Sequence, residues 1–260
     1  MDEQVLAAAA ERVAACRLTP EPLPGLGGVS SLLDGYAVQE RANALLEPHL
    51  GHRVGHKIGG TTETMRRYIR APEPLAGEIF AHQVHTDGAT VARADFIRLG
   101  IETEIAVRLA LPLPPRPLPY TRAEVGEAVG EMMAAIEIVD DRYVDFTTIG
   151  AATLVADNAF DAGSLLGSPA PDWRRLDLAA LAARTFEDGT LLATGRSDAL
   201  LGHPLDALAW LANHRSSLGL GLAAGSFVSL GSITPVHWVT RPATFRIAVE
   251  DLGEVSVTVN

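Results

Sequence analysis

Residues 99–109, LGIETEIAVRL, alternate apolar and polar side chains as a β-strand does. Glu102 and Glu104 therefore share one face of the strand, and the residues between and beside them share the other. Neighbouring like charges repel, and a divalent cation would remove that cost. Oxygen ligands without a nearby thiolate or imidazole cluster favour Mg²⁺, Ca²⁺ or Mn²⁺ over Zn²⁺. The alternative is that both glutamates lie on the solvent face of an edge strand.

A third carboxylate, Glu137, lies in the apolar segment MMAAIEIVDDRY, between Ile136 and Ile138. Burying an unpaired carboxylate is costly. Convergence of Glu102, Glu104 and Glu137 on one ion would account for all three acidic side chains. We therefore predict that these glutamates are metal ligands.

The composition indicates a globular protein, with 260 residues, 47% hydrophobic and 20% charged. A net charge of −11 argues against a nucleic-acid or anionic-membrane partner. The single cysteine, Cys16, excludes an internal disulfide and fits a reducing compartment. The start MDEQ lacks the basic residues of a signal peptide, and no apolar run is long enough to span a membrane. We expect a cytoplasmic protein.

The hydrophobic pattern predicts an α+β fold with a curved sheet or sandwich core. A helix over 3–16 and a second from Ser31 or Asp34 to Leu46 suggest an N-terminal helical arm. Further along, the pattern predicts a hairpin within 81–98, a helix over about 122–134 capped by Thr121 and Glu124, and strands over 178–195 that turn at Asp188-Gly189. A helix opens at Pro204, and the C-terminal segments alternate like antiparallel strands.

Three other polar side chains lie in apolar surroundings. Lys57 precedes the pair Gly59 and Gly60 in a predicted strand, where its ammonium either reaches water or meets a charged ligand. Asp157 and Asn158 lie in the glycine-bounded segment GAATLVADNAFDAGSLLG. They either orient a ligand or cap a turn.

The order of several motifs resembles the 2-keto-4-pentenoate hydratase family, which includes 4-oxalocrotonate decarboxylases and belongs to the fumarylacetoacetate hydrolase superfamily. The motifs are GHKIGGTTETM, GEIF, IETEIAVRL, AAIEIVDDRY, ADNAFDAGSLLG, GHPLDALAWLAN and AAGSFVSLGSIT, within residues 35–260. The resemblance implies a mixed β-roll or sandwich core over 51–260, preceded by the helical arm 1–50. It also implies Mg²⁺ or Mn²⁺, a small 2-oxo-acid substrate and a homo-oligomer.

The resemblance also implies roles for single residues. Glu102, Glu104 and Glu137 match the family's metal ligands, and Lys57 matches a lysine that faces the substrate's carboxylate or enolate oxygen. Four residues match substrate-binding positions: Asp157, Asn158, Ser232 and Thr234.

Two positions depart from the family pattern. Leu75 follows Pro74 where hydratases commonly carry Asp, and Phe160 follows Ala159 where they tend to carry a small polar residue. Glu78 is the candidate catalytic carboxylate in place of the missing one.

The resemblance implies a hydratase that adds water to a 2-hydroxy-2,4-dienoate, giving a 4-hydroxy-2-oxo acid, in the meta-cleavage catabolism of aromatic compounds. The alternatives are a decarboxylase of a vinylogous 2-oxo diacid and a non-catalytic relative that binds metal and a 2-oxo acid. A serine hydrolase is disfavoured because the sequence has no GxSxG elbow. A dinucleotide enzyme is disfavoured because no glycine fingerprint lies between a strand and a helix.

Overall fold

The computed structural model describes residues 1–260, with six α-helices and thirteen β-strands. The helices are α1 (Glu3–Leu18), α2 (Leu32–Leu50), α3 (Glu63–Tyr68), α4 (Arg122–Ala128), α5 (Gly150–Ala156) and α6 (Pro204–Ser217). The first seven strands are β1 (Arg53–Gly59), β2 (Leu75–Phe80), β3 (Val84–Thr86), β4 (Ala89–Val91), β5 (Leu99–Leu109), β6 (Val129–Asp140) and β7 (Asp161–Leu166). The others are β8 (Ala182–Glu187), β9 (Thr190–Arg196), β10 (Phe227–Ser232), β11 (His237–Trp238), β12 (Ala243–Val249) and β13 (Gly253–Val259).

The strands form two sheets that enclose the main core. The larger sheet has the order β2-β1-β10-β5-β6-β7-β3, with β11 also paired to β5, and the smaller has the order β4-β13-β12-β8-β9. Ile101 and Ile105 of the larger sheet share a buried cluster with Phe245 and Ile247 of the smaller. Facing apolar sides of two sheets bury each other. This arrangement confirms the predicted α+β fold with a sandwich-like β core.

The helical arm consists of α1 and α2, and each begins with a side-chain cap. Asp2 accepts a hydrogen bond from the backbone of residue 4, and Ser31 forms a capping box with Asp34. Val13 and Val38 from the arm pack with Ala156 of α5. The two helices confirm the predicted arm, while the proposed division of the chain at residue 50 stays a prediction.

Two local predictions are wrong. The helix predicted over 122–134 ends at Ala128, because the following residues form β6, which pairs with β5 from Leu109 opposite Val129 to Leu99 opposite Asp140. The hairpin predicted within 81–98 does not form. Strand β3 pairs in parallel with β7 of the larger sheet, and β4 pairs in parallel with β13 of the smaller. This segment crosses between the sheets.

The predicted turn at Asp188-Gly189 is confirmed between β8 and β9, and both residues adopt positive φ, as a two-residue turn of type I′ requires. The helix from Pro204 and the antiparallel pair β12 and β13 are also confirmed. None of the six helices combines the length and apolar character needed to cross a bilayer.

Candidate metal centre and substrate pocket

Three glutamates meet on one face of the larger sheet, where β5 and β6 lie side by side. Glu102 is directly opposite Glu137 in the antiparallel register, and Glu104 lies two residues further along β5. One carboxylate oxygen of each residue lies within 4.8 Å of those of the other two. Because β5 is an interior strand and Glu104 is 0% exposed, the alternative of a solvent-facing edge strand is wrong.

The carboxylate oxygens of this cluster are incompletely paired. Glu104 Oε2 accepts hydrogen bonds from Ser229 Oγ at 2.6 Å and from the Gly231 amide at 2.7 Å, but its Oε1 has no partner. Both oxygens of Glu137 are buried without a hydrogen bond. Buried oxygens are normally hydrogen-bonded or bound to a metal, so these atoms fit a divalent cation with hard oxygen ligands.

The cluster disfavours full ionisation when no cation is bound. Burial raises the pKa of Glu104 to about 7, and the charge of Glu102 adds to this rise. Burial raises the pKa of Glu137 well above its ordinary value, although the neighbouring ammonium of Lys57 opposes the change. A bound cation would favour the charged forms of all three carboxylates.

Lys57 lies on β1 and supplies the positive charge beside the cluster. Its Nζ forms an ion pair with Glu137 Oε1 at 2.6 Å, although the two groups are not aligned as a hydrogen bond. The same Nζ donates a hydrogen bond to the Ala159 carbonyl at 2.8 Å. Burial lowers the pKa of Lys57, but the charges of Glu137 and Glu102 outweigh that effect and raise it. Because its pKa is raised, Lys57 stays protonated inside the protein. The side chain is 3% exposed, so it does not extend to water.

The loop that contacts Lys57 has an unusual backbone. Asn158, Ala159 and Phe160 adopt φ values of 52°, 49° and 70°, in the left-handed region that non-glycine residues seldom occupy. Such conformations cost of order 1–3 kcal/mol each and concentrate at functional sites. Here they direct the Ala159 carbonyl to Lys57 and bring Phe160 to the wall of a cavity.

A cavity of about 520 Å³ opens beside the cluster. Its polar lining includes Lys57, Glu102, Ser232 and Thr234, four of the residues that the sequence predicted for the site. Ser232 Oγ donates to the Thr234 carbonyl at 2.7 Å, which stabilises the bend after β10. Most of the remaining lining is apolar and includes Leu75 and Phe160, the two positions that depart from the family pattern.

The structure places Glu78 away from this cavity. In the register of β1 with β2, Gly77 lies opposite Lys57 and Glu78 lies opposite His56, so Glu78 points to the other face of the sheet. Its carboxylate lies 3.1 Å from His56 Nδ1 and 2.5 Å from Arg215 Nη1. Burial would raise the pKa of Glu78, but these two partners lower it to about 2. The predicted catalytic role is therefore corrected to a structural one.

Asp157 and Asn158 also lie outside the cavity lining. Asp157 Oδ2 is paired with Arg142 Nη1 at 3.1 Å, and Asp157 Oδ1 lies 3.4 Å from Arg17. Asn158 donates to Asn43 at 2.7 Å and accepts from the Glu78 amide at 3.0 Å. Their polar atoms hold the strained loop in place, so the predicted contacts with substrate are not formed by these side chains.

Sequence reasoning missed three residues around the centre. Ser229 donates to Glu104, and Ser164 lies opposite Glu137 with its hydroxyl buried and unpaired. Asp161 is fully buried close to Lys57, with Oδ2 3.4 Å from Arg17 and Oδ1 unpaired. The sequence signal that could have found them is the alternation of side chains along β7 and β10. Alternation alone does not say which face of the sheet Asp161 and Ser229 occupy, because that depends on the partner strands.

Comparisons with known proteins identify the family of this chain. The fumarylacetoacetate (FAA) hydrolase C-terminal family model matches residues 53–260. The chain is 35% identical over 232 residues to the 2-keto-4-pentenoate hydratase of Burkholderia vietnamiensis, covering 89% of this chain and 87% of that protein. It is 31% identical over 228 residues to the 2-oxo-hept-4-ene-1,7-dioate hydratase of Escherichia coli, covering 86% and 85% respectively.

Among solved structures, the chain resembles the 4-oxalocrotonate decarboxylase of Pseudomonas putida G7, complexed with magnesium and adipate. The TM-score is 0.93 at 26% identity, covering 100% of this chain and 99% of the other. The family match, the two hydratases and this structural likeness point to one group of proteins. The chain belongs to the 2-keto-4-pentenoate hydratase and 4-oxalocrotonate decarboxylase family of the fumarylacetoacetate hydrolase superfamily.

Proposed function

We propose that this protein is a metal-dependent hydratase that converts a 2-hydroxy-2,4-dienoate into a 4-hydroxy-2-oxo acid. The observation that carries the proposal is a cluster of three carboxylates beside protonated Lys57, at the polar end of a largely apolar cavity. Glu104 and Glu137 are buried, and Glu102 is half-buried and lines the cavity. The relatives named 2-keto-4-pentenoate hydratase, 33–35% identical over most of the chain, support the same reaction class.

Glu102, Glu104 and Glu137 would hold Mg²⁺ or Mn²⁺, and the oxygens of Glu104 and Glu137 that lack a hydrogen bond are suited to either ion. When bound, such an ion supplies Lewis-acid stabilisation of negative charge on the substrate's carboxylate and 2-oxygen. The magnesium in the related decarboxylase structure supports a divalent ion here.

Lys57 would place a fixed ammonium beside the same substrate oxygen. Because its Nζ is already oriented by Glu137 and the Ala159 carbonyl, little reorganisation is needed as negative charge develops. Ser232 and Thr234 would bind the polar end of the substrate. In the overall reaction the dienol gains a proton at C5 and loses the proton of its 2-hydroxyl as it becomes the 2-oxo-3-enoate. Water then adds across C3 and C4, with its hydroxyl oxygen bonding to C4 and its other proton to C3.

The test compares metal-stripped protein with Mg²⁺- or Mn²⁺-restored protein on freshly generated 2-hydroxypenta-2,4-dienoate, with products identified by mass. We expect a product that has gained one water, formed only when metal is present. We also expect Lys57→Met to lower kcat by at least about 100-fold, in the range typical of a lost transition-state donor. Equal water addition by stripped and restored protein would refute the proposal.

A second candidate is the decarboxylation of 2-oxohex-3-enedioate, which the whole-chain likeness to a decarboxylase favours. The same metal-restored assay distinguishes it, because the substrate then loses carbon dioxide and gains no water. A non-catalytic relative would instead be stabilised by metal plus a 2-oxo acid without any product. A homo-oligomer, a cytoplasmic location and a role in aromatic meta-cleavage catabolism stay predictions, and light scattering tests the first.

A further inference from the structure

Resting on the proposed function, we propose that this site selects monocarboxylic 2-hydroxy-2,4-dienoates with an apolar alkyl or aryl group at C5. Substrates that end in a second carboxylate are disfavoured. The inference follows from the size of the cavity, from a run of aromatic contacts along it, and from the charges that surround it.

The cavity is larger than an unsubstituted substrate requires. Its volume of about 520 Å³ lies within the roughly 300–1,000 Å³ of pockets that hold drug-sized ligands. A five-carbon dienoate, anchored by its carboxylate and 2-oxygen at the glutamate cluster, would leave much of that space to water. A substituent at C5 would extend away from the anchored end and fill it.

Three aromatic side chains form a continuous part of the cavity wall, from the loop beside Lys57 to the protein surface. Phe160 directly follows Ala159, whose carbonyl is bonded to Lys57. The Phe160 ring packs edge-on against Phe146 at 5.7 Å between centroids, and Phe146 packs against Tyr68 at 5.6 Å. Tyr68 is 53% exposed, so this run reaches solvent. All three rings line the cavity and present apolar surface to an alkyl or aryl group.

The lining offers no positive charge to a second carboxylate. Lys57 is the only Lys, Arg or His among the lining residues, and it is held by Glu137 and the Ala159 carbonyl. Threonine hydroxyls are present, but they supply no counter-charge. A carboxylate transferred from water to this wall would lose its hydration without forming an ion pair.

Two arginines beside lining residues of the cavity, Arg66 next to Met65 and Arg98 against Trp238, are occupied elsewhere. Arg66 donates through Nη1 to the carbonyls of Gly60 and Thr61. The Arg98 guanidinium stacks on the Trp238 ring, 4.1 Å from its centroid, and pairs with Asp141 at 3.1 Å. Neither guanidinium belongs to the cavity lining, so neither is placed to bind a terminal carboxylate.

The test is calorimetric binding of unreactive 2-oxo acids to the Mn²⁺-loaded protein. The probes are 2-oxopentanoate, 2-oxoheptanoate, 2-oxo-5-phenylpentanoate and 2-oxoadipate. In 2-oxoadipate a terminal carboxylate oxygen takes the place of C7 of 2-oxoheptanoate, so the two chains have the same length. We expect affinity to rise about three- to fourfold for each methylene that the wall buries. We expect 2-oxoheptanoate to bind at least about tenfold more tightly than 2-oxoadipate. Equal or tighter binding of 2-oxoadipate would overturn the inference.

A matched pair of variants tests the cause of the selectivity. Met65 lines the cavity on α3 and is 38% exposed, so a longer polar side chain is accommodated there. Met65→Lys should raise the affinity for 2-oxoadipate relative to 2-oxoheptanoate at least about tenfold, and Met65→Gln should not, because only the lysine adds a counter-charge. Equal ratios in the two variants would refute the charge argument.

The outcomes separate this inference from the proposed function. Binding in the expected order without water addition to the corresponding dienoates would refute the hydratase reaction and uphold the selectivity. Hydration with a preference for terminal carboxylates would uphold the reaction and overturn the selectivity. Failure of every probe to bind the metal-loaded protein would refute the selectivity, and the water-addition assay would then decide the hydratase reaction by itself.

Discussion

Single charged side chains in apolar surroundings dominate this site. Glu102, Glu104 and Glu137 repel one another, and Lys57 compensates only part of their charge. Glu78 has the opposite situation, since two basic partners lower its pKa. The same residue type is therefore poised to bind a cation on one face of the sheet and serves as a structural anion on the other.

Glu104→Gln should separate metal binding from folding. The amide oxygen can still accept from Ser229 and Gly231, but the negative charge is lost. We expect the dissociation constant for Mn²⁺, measured by calorimetry, to rise at least about 100-fold. Substituting a residue that only hydrogen-bonds to a metal ligand typically lowers metal affinity by about 10- to 100-fold, and loss of a ligand's charge should cost more. The metal-free variant should be at least as stable to urea as the wild type, because one repelling charge is gone.

The matched control is Glu131→Gln on the same strand, β6, as Glu137. Glu131 is 44% exposed and pairs only with Arg108, so Mn²⁺ affinity should stay within about twofold of the wild type. Wild-type affinity in the Glu104 variant would exclude Glu104 as a ligand.

Glu78 should make the free energy of unfolding depend on pH in the acidic range. Its folded pKa, about 2, lies below the ordinary value of 4.5, so its contribution is complete above pH 4.5 and disappears as pH falls toward 2. Between pH 7 and pH 4, the wild type should lose about 1 kcal/mol more stability than Glu78→Gln, measured by urea unfolding. Parallel losses in the two proteins would contradict this assignment.

At the scale of elements, helix α1 supports the site from the N-terminal arm. Its Arg17 side chain is 1% exposed and lies 3.4 Å from both Asp157 and Asp161. Asp157 belongs to the loop that contacts Lys57, and Asp161 begins β7. The arm therefore contributes a buried cation to the layer of charges behind the glutamate cluster.

Arg17→Met should destabilise the protein by about 3–5 kcal/mol, because it leaves buried carboxylates without part of their compensation. Arg12→Met on the exposed side of the same helix is the control, expected to change stability by less than about 0.5 kcal/mol. The free energy of unfolding in urea measures both. Equal effects of the two substitutions would contradict the role of Arg17.

For the whole molecule, the centre joins distant parts of the chain. Strands β1, β5, β6 and β10 each place side chains around it, and the smaller sheet packs behind the same strands. The three proposed ligands lie on β5 and β6, interior strands of the larger sheet, so a cation bound by them would stabilise the folded state by mass action.

Mn²⁺ at a free concentration of 100 times its dissociation constant should raise the free energy of unfolding by about 2.7 kcal/mol. Tryptophan fluorescence and far-UV circular dichroism should agree with each other on the unfolding midpoint, both in the metal-free protein and in the Mn²⁺-bound protein. This is expected because the two sheets share one core. Glu104→Gln, with its dissociation constant at least about 100-fold higher, should gain at most about 0.4 kcal/mol at that Mn²⁺ concentration. A shift confined to one probe would show that the metal stabilises only part of the molecule.

The sequence by itself determined features that depend on short-range geometry. Side chains two residues apart on a strand share a face, so Glu102 and Glu104 had to be neighbours. The capping box at Thr121 and the turn at Asp188-Gly189 likewise follow from local hydrogen bonding and backbone conformation. Lys57 and Glu137 were recognisable because a charge within an apolar segment is costly without a partner.

Only the tertiary structure decided which other polar groups reach the site, because that depends on pairing between strands distant in sequence. The register of β1 with β2 places Gly77 beside Lys57 and turns Glu78 to the opposite face. The pairing of β5 with β6 extends the second strand back to Val129 and ends α4 earlier than its helical pattern indicates. A shift of one residue in either register would exchange the two faces, and no local pattern encodes that choice.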